Sequence, residues 1–197
     1  MRFKKALLVV DVQNDFCPGG ALGIPGGDKI IPAINRYIRI FAKKKLPILV
    51  TRDWHPVKTG HFKDFGGIWP AHCIQNTPGA AFHPALKLPK GAIMLYKGMD
   101  PRQDSYSAFH AEDTSGRGLL KILRTLGIEE IYIGGLATDY CIKYSTLGAL
   151  KNGLKVKVLG DAVQGVNLKP GDSEKALKEI IRKGARKIVL KDLLKIK

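Results

Sequence analysis

Glu130-Ile-Tyr-Ile-Gly-Gly-Leu-Ala-Thr-Asp-Tyr-Cys141 is the stretch whose reading decides the fold. Its first half is a short, nearly unbroken apolar run rich in β-branched side chains. That is the pattern of a strand buried on both faces of a parallel sheet. Gly134-Gly135 ends the run, and a helix-like stretch follows, for which Thr138 or Asp139 is a natural N-cap. Five similar runs lie outward from it: Ala6–Asp11, Pro47–Arg52, Ala92–Tyr96, Lys155–Leu159 and Lys187–Leu190. Helical periodicity occupies Lys29–Lys45, Gly118–Leu126, Asp139–Lys151 and Ser173–Lys183, with Asp172 or Ser173 able to cap the last. This alternation predicts an α/β fold: a doubly wound, mostly parallel six-stranded sheet flanked by helices and joined by right-handed crossovers. No repeat, linker or low-complexity segment interrupts it, so residues 1–197 are expected to form one domain.

The bulk composition narrows the field. The 197 residues are 45% hydrophobic, with 33 Lys and Arg against 17 Asp and Glu, for a net charge of +16. No apolar run reaches the length of a membrane span. The basic-then-apolar start, Met1 to Val10, meets Asp11 at once and reads as a first strand rather than a leader. Three cysteines (17, 73 and 141) with no Cys-x-x-Cys argue against a disulfide scaffold and for a reducing, cytoplasmic setting. The basic residues are scattered, with neither an arginine-rich arm nor an interleaved aromatic stripe. They read as a solvated surface rather than a nucleic-acid face.

Chemistry collects where strands end. In open parallel sheets, ligands bind outside the carboxyl ends of the strands. Here those ends carry Asp11, Asp53-Trp54-His55, Lys97 and, past the two glycines, Cys141. A thiol in the first turn of a helix meets the positive end of the helix dipole, which favours thiolate and suits a nucleophile. Asp53 and His55 are two apart, so on an extended chain they project to one side. With His61 and His72 from the long aperiodic segment Trp54–Pro89, they suit a divalent metal such as Zn²⁺, Mn²⁺ or Fe²⁺. A loop that long inside a compact fold is usually functional.

The motifs Asp11-Val-Gln-Asn-Asp-Phe16, Pro18-Gly-Gly-Ala-Leu-Gly-Ile-Pro-Gly-Gly-Asp28, Thr51-Arg-Asp-Trp-His-Pro56, Trp69-Pro-Ala-His-Cys73, Thr77-Pro-Gly-Ala-Ala-Phe-His-Pro84, Lys97-Gly98, Tyr106-Ser107 and Gly135-Leu-Ala-Thr-Asp-Tyr-Cys141 together carry a resemblance. From Asp11 to about Asp161 the chain resembles the nicotinamidase/pyrazinamidase family of isochorismatase-like cysteine hydrolases. The resemblance implies hydrolysis of nicotinamide to nicotinate and ammonia through a Cys141 thioester, in NAD salvage, with pyrazinamide accepted too. It implies Cys141 as nucleophile, Asp11 as general base and acid, and Lys97 as the third member of the triad. Asp53, His55 and His72 match metal ligands, Zn²⁺ first among them; His61 matches a histidine that ligates in only some members. Phe16, Trp69 and Tyr106 match an aromatic slot for the pyridine ring. Ala137 and Cys141 match the oxyanion hole, with a cis peptide at Leu136–Ala137. Another small amide, or an isochorismatase-type substrate, is the alternative; a basic nucleic-acid-binding module is the remote one. Nothing in the sequence marks a self-complementary patch, so a homo-oligomer stays open. One departure stands out: Ser145-Thr-Leu-Gly148 puts glycine in the catalytic helix, where it is expected to loosen packing by up to about 1 kcal/mol.

Overall fold

The computed structural model describes residues 3–195, so Met1-Arg2 of the basic start and Ile196-Lys197 of the basic tail lie outside the described residues. The elements run β1 (Lys5–Val10), α1 (Ile31–Lys43), β2 (Ile48–Asp53), β3 (Ile93–Lys97), α2 (Leu119–Leu126), β4 (Glu130–Leu136), α3 (Lys143–Lys151), β5 (Lys155–Gln164), α4 (Asp172–Arg182), β6 (Arg186–Ile188) and α5 (Leu190–Lys195). All six strands pair in parallel, in the order β3-β2-β1-β4-β5-β6. The chain therefore builds outward from β1 to β3, then crosses back to lay β4 on the other side of β1. That reversal opens a crevice at the carboxyl ends of β1 and β4.

Alternation along the strands feeds two cores. Leu7 and Val9 of β1 pack with Ile34, Ile38 and Phe41 of α1 and with Leu193 of α5. Ala6, Leu8 and Val10 pack with Leu119 and Leu123 of α2, Ala149 of α3 and Ile180 of α4. Helix α1 buries Ile31, Ile34, Tyr37, Ile38 and Phe41, a single stripe at helical spacing, and Pro32 suits its first turn. Both faces of the sheet are covered, which is why its central strands read as unbroken apolar runs.

The glycine pair at the end of β4 has a packing reason. Gly135 has φ +129°, and a Cβ there would stand 2.0 Å from the Val10 carbonyl oxygen. Only glycine allows β4 to lie this close to β1 before the chain turns into the site.

The structure corrects several local expectations. Neither Thr138 nor Asp139 caps a helix: Ala137 holds the N-cap position, Thr138–Ile142 forms a π-helical turn, and α3 starts only at Lys143. The Asp139 carboxylate instead accepts the N–H groups of Val166 (2.9 Å) and Asn167 (2.7 Å), tying this turn to the loop after β5. Helix α4 is preceded by Gly171 in a left-handed conformation rather than by a capping side chain. Its Asp172 accepts from the Lys169 N–H, and Ser173 donates its own N–H to Asn167. Strand β5 runs on to Gln164 through a register shift against β4, and α5 carried no periodic signal long enough to announce it. Among the described residues no helix is long and apolar enough to cross a membrane.

Candidate active site

The four strands β3, β2, β1 and β4 end side by side. Asp53 is in register with Lys97, and Val10, just before Asp11, is in register with Gly135. Lys97, Asp53, Asp11 and Cys141 thus converge on one rim, as the sequence predicts. Asp11 is fully buried and left-handed at φ +49°, an unfavourable conformation for a non-glycine residue and one that gathers at functional sites.

Lys97, 1% exposed, is the hub. Its Nζ lies 2.9 Å from Asp11 Oδ2, 2.8 Å from Asp53 Oδ1 and 3.6 Å from Cys141 Sγ. Thr51 donates its hydroxyl to Asp11 Oδ1 at 2.7 Å. Burial pushes the Asp11 carboxyl above the usual range, with Lys97 opposing it and Asp53 adding to it. Burial also pushes Asp53 up, but Lys97 and His55 outweigh it and hold that carboxyl well below the usual range. Burial would lower Lys97, yet the two carboxylates hold it well above the ordinary lysine value. The three groups titrate as a unit.

Cys141 departs from the expectation of a lowered pKa. Burial drives its thiol well above the ordinary value, Lys97 pulls it down, and Asp11 and Asp53 push it further up. A thiol whose acidity burial suppresses needs a base to become a nucleophile, and the Asp11 carboxyl lies across Lys97 from it.

The other half of the site is a histidine cluster. His55, His61 and His72 are all buried, and each offers a nitrogen within 4.8 Å of the others. Their outer nitrogens are occupied: His55 Nδ1 donates to Gly98 O at 3.1 Å, His72 Nδ1 to Pro70 O at 2.8 Å, and His61 Nδ1 to the Asp104 carboxylate. Carbonyl and carboxylate oxygens only accept, so in the neutral imidazole each inner Nε2 keeps a lone pair. Asp53 Oδ2 stands 3.2 Å from His55 Nε2 and 3.8 Å from His72 Nε2. Among the described residues the buried His55 Nε2 makes no hydrogen bond. Four lone-pair donors facing one another in a buried pocket fit a divalent cation, the donor set that suits Zn²⁺. Gly98 makes room for it: with φ +74°, a Cβ there would meet the His55 ring at 2.6 Å and Asp53 Oδ1 at 2.9 Å.

A cavity of about 310 Å³ empty volume joins the two halves, lined among others by Phe16, Trp69, Tyr106, Ala137, His61 and Cys141. Trp69 Nε1 donates to the Tyr106 hydroxyl at 2.9 Å, fixing two of the expected ring contacts. The Leu136–Ala137 peptide is cis, and the Tyr140 and Ile142 N–H groups both donate to the Ala137 carbonyl. Leu22, Tyr140 and Val166 also line the cavity, and sequence reasoning missed them. Tyr140 stands edge-on to Trp69 with centroids 4.9 Å apart, and its place beside Cys141 was the one usable signal. Val166 comes from the loop just past the carboxyl end of β5, where nothing in the pattern pointed inward. Gly148 does the reverse of what was expected: a Cβ there would meet Phe109 at 2.8 Å and Ser107 Oγ at 3.0 Å, so glycine tightens this contact rather than loosening it.

The Isochorismatase domain family matches residues 5–190 of the chain. Nicotinamidase from Escherichia coli (strain K12) is 40% identical over 204 residues, 95% of this chain and 96% of that one. Nicotinamidase/pyrazinamidase from Mycobacterium tuberculosis is 39% identical over 166 residues, 83% of this chain and 88% of that one. The crystal structure of pyrazinamidase of Pyrococcus horikoshii in complex with zinc superposes with a TM-score of 0.88 at 46% identity, covering 95% of this chain and all of that one.

Proposed function

The chain belongs to the isochorismatase family, and from that premise we propose that it hydrolyses nicotinamide to nicotinate and ammonia, and pyrazinamide in the same way. The observation that carries this reading is one cavity walled by Cys141 on one side and by Asp53, His61 and His72 on the other, with Lys97 and Asp11 buried behind the sulfur. Relatives of near-equal length named for nicotinamide hydrolysis support the substrate.

Phe16, Trp69 and Tyr106 present aromatic walls for a planar ring. Asp53, His55, His61 and His72 would hold one divalent metal, Zn²⁺ by its donor set and by the zinc-bearing relative. When bound, the ion supplies a Lewis-acidic anchor for the pyridine nitrogen. Asp11 takes the Cys141 proton while Lys97 steadies the thiolate. The sulfur attacks the amide carbon, and the N–H groups of Ala137 and Cys141 serve as donors to the oxyanion, each typically contributing about 3–4 kcal/mol. Asp11 returns the proton to the departing nitrogen, and ammonia leaves a thioester. Asp11 then takes a proton from water, the oxygen attacks the thioester, the departing Cys141 sulfur takes that proton back from Asp11, and the nicotinic acid formed ionises to nicotinate.

The test is ammonia release from nicotinamide by wild type and Cys141→Ala, each before and after chelation. Release that vanishes with Cys141 and falls on chelation supports the reading. No release by folded, zinc-loaded wild type turns the search to other small amides.

A further inference from the structure

At its carboxyl end β2 loses a neighbour. On one side Asp53 is still in register with Lys97 of β3. On the other side β1 stops at Val10, and the left-handed turn at Asp11 carries the chain away. Residues after the turn then pair elsewhere: Asn14 donates to Ala81, Asp15 to Gly79, and His83 to Val12. In a continuing parallel ladder the Asp53 N–H and carbonyl would meet the main chain of the β1 strand. They do not, because the Gln13 N–H donates instead to Asp11.

The Gln13 side chain fills the gap. Its Oε1 accepts the Asp53 N–H at 2.7 Å, and its Nε2 donates to the Asp53 carbonyl at 2.8 Å and to the Ala80 carbonyl at 3.0 Å. Gln13 is completely buried. A carboxamide has the same donor and acceptor as a peptide group, so it acts as one more residue of the absent strand. Ala80 is also held by Arg52 Nε at 3.0 Å, which anchors the amide's third contact to β2 itself.

We propose that Gln13 is a positioning residue: its carboxamide replaces the missing strand neighbour of Asp53 and sets that main chain so that one carboxylate oxygen faces Lys97 and the other faces the histidines. The proposal rests on the metal reading given above. Among the described residues Asp53 is the side chain shared by the two halves of the site, at 2.8 Å from Lys97 Nζ and 3.2 Å from His55 Nε2. A rotation of its backbone moves both contacts together, and its partners are too buried to follow.

Gln13→Met tests it, since methionine has the same reach, no charge and no amide. Zn²⁺ affinity is measured by competition with a chromophoric chelator, alongside the thermal midpoint of metal-free protein and the visible spectrum of the Co²⁺ form. The expected result is a 10- to 100-fold loss of Zn²⁺ affinity, as for other residues that orient a ligand, with a changed Co²⁺ band. A purely structural role lowers the midpoint and leaves the affinity and spectrum of the folded protein at wild-type values, and that result overturns the proposal. Gln13→Asn, shorter by one methylene, is the second variant should Gln13→Met not fold; it is judged by the same affinity loss. A wild-type protein that takes up no Zn²⁺ sinks the metal reading and this proposal together. A wild type that binds, with variants that bind equally well, removes this proposal alone.

Discussion

Replacing Lys97 by Met removes the ammonium that lies between two buried carboxylates. Its Nζ stands 2.9 Å from Asp11 and 2.8 Å from Asp53, and at an effective dielectric of 20 each contact represents about 6 kcal/mol of attraction. Desolvation of the ammonium offsets much of that, and breaking a buried ion pair from one side typically costs about 3–5 kcal/mol. We expect a loss of that size for the metal-free protein at pH 8. Its pH dependence identifies the cause. In wild type the depressed Asp53 carboxyl stabilises the fold above the ordinary carboxylate range and loses that contribution as pH falls through its folded value. Lys97, raised above its ordinary value, contributes throughout the neutral range and fails only at high pH. Without the cation, burial and mutual repulsion raise both carboxyls. The folded variant then binds more protons than the unfolded chain, so its stability falls as pH rises from the ordinary carboxylate range. Urea unfolding followed by circular dichroism should give a smaller deficit at pH 5 than at pH 8, by about 1.4 kcal/mol for each further unit of upward shift titrated between them. A deficit below about 1 kcal/mol at pH 8, or an equal deficit at both pH values, refutes the view that Lys97 offsets the charge of Asp11 and Asp53.

Other substitutions probe the walls of the site. Trp69→Phe removes the hydrogen bond to Tyr106, worth about 1 kcal/mol; KM for nicotinamide should rise about fivefold with kcat within threefold, and a kcat collapse at unchanged KM contradicts a ring-holding role. Gly98→Ala must fit a methyl group against His55 and Asp53 at positive φ, so zinc content after dialysis should drop sharply; full retention of zinc counts against the close packing of this cradle. Gly148→Ala gains helix propensity of about 1 kcal/mol, but it overpacks against Phe109 and Ser107, typically a loss of about 1–3 kcal/mol. Differential scanning calorimetry should show a lower melting temperature, and a higher one means that Phe109 moves aside freely.

Periodicity and strand-end chemistry were legible in the chain because they are local. Six apolar runs between helical stretches imply a parallel sheet, and a parallel sheet puts Asp11, Asp53, Lys97 and Cys141 on one rim. Asp53-x-His55 announced a shared side chain direction by spacing alone. The local signals misled where a side chain had a better distant partner. Asp139 has the chemistry of a cap but bonds to Val166 and Asn167, 27 and 28 residues away. Gly148 has the look of a weak point in a helix until Phe109 is seen against it. The Cys141 thiol sits where a helix dipole should acidify it, yet burial and two carboxylates win.

By itself, then, the sequence determined the sheet, its parallel sense and which residue types gather at its edge, since these follow from patterns a few residues long. Tertiary structure alone decided how the chemistry is shared out. Lys97 serves two carboxylates at once, His61 joins the histidine cluster with Asp104 at its back, and the Gln13 amide stands in for a missing strand. Each depends on distances between segments tens of residues apart and on burial that strengthens every charge and hydrogen bond inside, and neither is written in local sequence.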